Sequence, residues 1–176
     1  MSLLKRFLGL ENGEDDSETG SPALARIIEV LQGMPQERAH YLAAFACVLA
    51  RIAHADLQIE DSEVDAMVRA TASLGNLGED ESKLVVEIAQ AHSRDEGGTS
   101  NFQVTREFRN ISTREQRTGL IECLYAISAA DGSVSMTESS EVLKIAGELG
   151  LTRNETNAIK AGWKDHLAEF QGLPKS

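Results

Sequence analysis

Apolar residues recur along this chain at helical spacing. Tyr41, Phe45, Val48, Leu49 and Ile52 fall on one side of a helix read from near Pro35 to about Ala55. Val64, Met67, Val68, Thr71 and Leu74 repeat the pattern until Gly75, and Leu84, Val85, Ile88 and Ala89 mark another helix that ends before Asp95-Glu96-Gly97-Gly98. Upstream, Ser21 followed by Pro22 makes a good helix start, and that helix runs to Leu31 before Gly33. A short helix is read around Phe102 to Asn110. Ser112 with Glu115, Ser135 with Glu138 and Thr152 with Glu155 have the Ser/Thr-x-x-Glu spacing of capping boxes, opening helices at about 113–130, 136–149 and 153–171. The last carries Ile159, Trp163, Leu167 and Phe170 on one side. No segment alternates as a strand does. The pattern predicts an all-α fold: one compact bundle of about seven helices over residues 21–173.

Sliding the sequence on itself by 75 residues aligns two halves, about 36–93 and 112–171. Leu49, Ile52, Ala55, Asp56, Glu63, Leu74 and Gly75 fall on Leu124, Ile127, Ala130, Asp131, Glu138, Leu149 and Gly150, without a gap. Any two amphipathic helices share apolar positions, so the informative matches are polar. Each half has an Asp where one helix ends and a Glu seven residues later, where the next begins. The halves read as two copies of helix–acidic loop–helix.

Composition narrows the function. A net charge of −11 and a pI near 4.8 repel phosphate backbones, which argues against nucleic acid and suits cations or a basic partner. Aromatics make up only 5% of the chain, so small and aliphatic residues must fill the core. Cys47 and Cys123 sit in apolar helical stretches without a CxxC partner and are expected to be buried, reduced thiols. No apolar run approaches a membrane span and no secretory leader is read, so the expected location is cytoplasmic. Residues 1–20 divide into an apolar and basic tip, Met1 to Leu10, and an acidic linker, Glu11 to Gly20. The tip either packs locally or makes a peripheral contact at the inner face of the membrane.

Asp56, Glu63, Asp131 and Glu138 are the candidate site residues. Glu138 is explained in part by its cap on Ser135, and Asp131-Gly132 is an ordinary turn pair. Two features resist that reading. Glu60, not Ser or Thr, stands three residues before Glu63, and both aspartates sit at helix C-terminal ends, where the macrodipole disfavours an anion. Packed together, four carboxylates would repel unless a hard divalent ion, Ca²⁺ or Mg²⁺, neutralised them. Capping and cation binding both stay open. The loop lacks the length and ligand positions of an EF-hand. His40, His54, His92 and His166 have no zinc-site spacing, and no phosphate loop or nucleophile motif occurs. Arg106, Arg109, Arg114 and Arg117 form a local basic stretch, read as a solvated face or a dock for an anionic partner.

The string Ala129-Ala-Asp131-Gly-Ser-Val-Ser-Met-Thr-Glu138, with Leu149-Gly-Leu151-Thr-Arg-Asn-Glu155 after it, resembles the tellurite-resistance TerB family. His54-Ala-Asp56-Leu-Gln-Ile-Glu-Asp-Ser-Glu63 is similar to a second copy of the same mark, with Leu57 where the family's glycine is expected. The resemblance implies a helical domain of two related halves, found also in DnaJ-like co-chaperones, whose matching acidic positions are the proposed cation-binding or interaction residues. The expected function is a non-enzymatic cytoplasmic binding or adaptor protein in stress resistance, with a protein partner. The alternative is a carboxylate–metal-dependent enzyme, or a direct handler of metals or oxyanions.

Overall fold

The structure is a computed structural model that describes residues 22–53, 61–92, 101–130 and 134–163. Within them lie eight helices: α1 (Pro22–Gln32), α2 (Gln36–Ala53), α3 (Asp61–Ser73), α4 (Glu79–His92), α5 (Asn101–Ile111), α6 (Arg114–Ser128), α7 (Met136–Glu148) and α8 (Arg153–Ala161). No strand occurs among the described residues, so the chain is the all-α bundle that its periodicity predicts.

Helix α2 is the hub. Every residue from Tyr41 to Ile52 is buried, because α1, α4, α5, α6 and α7 all pack on it. A helix surrounded in this way must be apolar on nearly every side, with any charge it carries paired. Ala43, Ala44, Ala46 and Ala50 meet that need with side chains small enough for close approach. Three of the few aromatic rings gather on the α2–α5 side. Phe108 lies 5.4 Å from Tyr41 and 5.9 Å from Phe45, centroid to centroid, the latter edge-on.

The 75-residue offset extends to the helix boundaries. α2 ends at Ala53 and α6 at Ser128, α3 begins at Asp61 and α7 at Met136, and α3 ends at Ser73 and α7 at Glu148. Burial follows the same register: Leu49 and Leu124, Met67 and Val142, and Ala70 and Ile145 are buried pair by pair. Helix α3 of the first copy packs on α6 of the second. Gly119 makes that approach possible, since a Cβ there would stand 2.7 Å from the Leu74 carbonyl oxygen.

Two boundaries differ from expectation. The cap of α6 falls one residue later than Ser112. Thr113 accepts from the Gln116 amide while the Gln116 side chain accepts from the Thr113 amide, a full capping box. The Ser112 hydroxyl instead donates to the Phe108 carbonyl at the end of α5, so it is not free to cap. The other two boxes, Ser135 with Glu138 and Thr152 with Glu155, form as expected. Helix α8 ends at Ala161, short of the expected 171, and Leu167 and Phe170 lie outside the described residues; Trp163 packs against the core just beyond the helix end.

Candidate functional site

Of the four candidate carboxylates, Asp56 and Asp131 lie outside the described residues. Glu63 is placed as backbone in the first turn of α3, its side chain lying outside them. Glu138 is fully described. It is buried, with 8% of its surface exposed, and its Oε2 accepts the Ser135 amide at 2.8 Å while its own amide donates to Ser135 Oγ at 3.1 Å. The structural part of its role is therefore real: it caps α7. That cap engages one carboxylate oxygen, and Oε1 has no hydrogen bond among the described residues. Ser128, the last residue of α6, and Ser139, in the first turn of α7, are buried with hydroxyls that have no hydrogen-bond partner among the described residues. Both belong to the helix ends that flank residues 131–133. No group of three or more His, Cys, Asp and Glu side chains placed to hold a metal ion occurs among the described residues.

Sequence reasoning missed the strongest charged constellation. Arg51 lies within the apolar run of α2, with 5% of its side chain exposed. Its Nη1 donates to Glu148 Oε2 at 2.6 Å and to Thr105 Oγ1 at 2.8 Å. Its Nη2 and Nε donate to Glu141 Oε1 at 2.7 and 3.2 Å. Helices α2, α5 and α7 are joined by one guanidinium, across the two copies of the repeat. Burial lowers the Arg51 pKa, but the hydrogen bonds it donates to Glu148 and Glu141, with their charge, outweigh it and the net shift is upward. The signal was present in the sequence: one cation in a wholly apolar helical run must find partners, and Glu141 and Glu148 are two turns apart on one face of α7.

The basic stretch also has a structural account. Arg114 pairs with Glu155 across α6 and α8. Arg117 Nη1 donates to the Leu149 carbonyl at 3.0 Å, satisfying the C-terminal end of α7. The Arg109 guanidinium covers Gly150, which has φ +77° and would place a Cβ 2.8 Å from it. Arg106 and Arg109 are both exposed, and neither forms an ion pair among the described residues. Arg114 and Arg117 are thus engaged at the α7–α8 corner, with Arg109 lying over it.

Neither Cys47 nor Cys123 forms a disulfide; both are buried, and burial pushes both thiols up to about 12, where they stay protonated and unreactive.

The family model described as Tellurite resistance protein TerB matches residues 42–161. The chain belongs to the TerB family. No curated protein and no solved structure gives a match. The matched stretch runs from the middle of α2 to the end of α8, so it holds both acidic junctions and the Arg51 node, and leaves α1 and the amino-terminal tip outside. No helix among the described residues is long and apolar enough to cross a membrane.

Proposed function

We propose that this TerB-family chain is a non-enzymatic binding protein whose paired Asp–Glu junctions take up a divalent cation, Ca²⁺ or Mg²⁺, and present the occupied face to a protein partner in stress resistance. The observation that carries this reading is the half-used carboxylate of Glu138. Its cap occupies one oxygen, the other has no hydrogen bond among the described residues, and two buried hydroxyls without partners among them flank the same junction. A hard cation takes carboxylate and hydroxyl oxygens readily. The boundary register supports the same chemistry at the first junction, where Asp56 and Glu63 occupy the equivalent positions without a Ser/Thr cap. The two thiols, protonated and sealed in the core, are poor nucleophiles, which favours binding over catalysis. Cysteines without a disulfide also suit a reducing cytoplasmic setting.

The test is thermal unfolding of the full chain with Ca²⁺, Mg²⁺ or Mn²⁺ titrated in. An ion at 100 times its Kd stabilises by about 2.7 kcal/mol, a rise of about 5–10 °C for a chain of this size. The paired substitution Asp56→Ala with Asp131→Ala is expected to abolish the rise. A midpoint that moves with none of the three ions contradicts the cation reading.

A further inference from the structure

A groove of about 260 Å³ lies between α1 and α4, floored by Ile27, Val30, Met34 and Leu84. It is smaller than the roughly 300–1,000 Å³ of ligand pockets and suits a few apolar side chains better than a cofactor. Val30 is 39% exposed here, one of five large hydrophobic side chains among the described residues left so open. The rim leans acidic. Arg26 and Glu87 form a loose pair at 3.8 Å, Lys83 is held by Glu79, and Glu81 by Arg38. Asp80 lines the groove with no ion pair among the described residues.

We infer that the occupant of this groove is residues 3–10 of the same chain, whose Leu3, Leu4, Phe7 and Leu8 enter the groove while Lys5 and Arg6 meet its acidic rim. The sequence of the tip has the complementary form: at helical spacing those four apolar residues share one face and the two cations lie off it. The tether reaches. Eleven residues, 11–21, at the average reach of a polypeptide of that length cover about 18 Å, and Val30 lies eight residues into α1 from Pro22, about 12 Å along the helix. A linker whose average length matches the gap gives an effective concentration in the millimolar range, so even a weak contact is largely formed. The groove thereby keeps the apolar tip out of water until a stronger surface draws it away. This inference is independent of cation binding at the acidic junctions.

The experiment places a nitroxide at Gly9→Cys in the full chain and reads paramagnetic broadening of backbone amides. Cys47 and Cys123 are buried, so the label goes to the new thiol. Broadening is expected at Ile27, Val30, Leu84 and Glu87, at least tenfold above that of a chain in which Phe7→Ser removes the anchor. Val30→Glu is expected to remove the same broadening. Phe7→Ser leaves every described core residue unchanged and keeps the test readable should Val30→Glu fail to fold. Broadening on another face, or none above the Phe7→Ser control, overturns the inference. So does equal broadening of an unlabelled, isotopically enriched chain mixed with the spin-labelled one, because the occupant is then a second copy.

Discussion

Replacing Arg51 is the severest single test of the packing described above. The guanidinium is almost wholly buried and binds Glu148, with 11% of its side chain exposed, and Glu141, with 32%. Arg51→Met leaves the Glu148 carboxylate in a mostly dry site without its cation. Breaking a buried pair costs about 3–5 kcal/mol. Glu141 can turn toward water, so its share is small and the lower end applies. At about 2–4 °C per kcal/mol for a chain of this length, a loss near 3 kcal/mol lowers the midpoint by about 6–12 °C. Thermal unfolding followed by circular dichroism, with chemical denaturation for the free energy, measures this directly. A double-mutant cycle separates the partners: Arg51→Met with Glu148→Met should recover most of the loss, since an apolar replacement of a buried pair is often neutral. Glu141→Gln alone should cost no more than about 1 kcal/mol, as exposed pairs do. A loss below about 1 kcal/mol for Arg51→Met, or equal effects for Glu141→Gln and Glu148→Gln, would refute the reasoning.

Three further outcomes follow from the same geometry. Gly119→Ala gains up to about 1 kcal/mol of helix propensity, but its Cβ would sit 2.7 Å from the Leu74 carbonyl oxygen. Overpacking of about 1–3 kcal/mol wins, and a lowered midpoint in thermal unfolding is the check. The Arg114 guanidinium, with the Thr152 cap, holds the Glu155 carboxyl down to about 2. A depressed carboxylate contributes stability above its unfolded pKa, about 4.3, and loses it as pH falls toward 2. Glu155→Gln should therefore flatten the fall of the midpoint between pH 4.5 and 2 while leaving its slope near neutrality unchanged. At the second junction, Glu138→Gln keeps an acceptor for the Ser135 amide and should stay within about 0.5 kcal/mol of the parent without added metal. Glu138→Ala should lose about 1 kcal/mol with the cap. Equal stabilities for the two variants, read by denaturant unfolding, would remove the cap from the account.

The sequence made the helices and their register legible because both are local. Spacing of apolar residues, three capping sites and the repeat of Leu49 at Leu124 and of Gly75 at Gly150 are visible within short windows, and the helix ends keep the same offset. The cap at Thr113 was missed by one residue because Ser112 has the same chemistry and spends it on the Phe108 carbonyl, a choice made by the end of α5. The Arg51 node was missed for a different reason. Its partners are 54, 90 and 97 residues away, and only the packing of α2 against α5 and α7 brings them together. The arginines after residue 106 looked like a surface patch for the same reason: Glu155, the Leu149 carbonyl and Gly150 became their partners only through the α7–α8 corner. The candidate carboxylates were legible as a repeat, and for Glu138 as a cap.

Calorimetric titration of Ca²⁺, Mg²⁺ and Mn²⁺ into the metal-stripped full chain tests the central claim most directly. A saturable heat with at least one of the three ions, lost when Asp56→Asn and Asp131→Asn are combined and weakened in Glu138→Gln with its cap intact, is the predicted result. No saturable heat with any of them, or a binding isotherm that survives all three substitutions together, would contradict it.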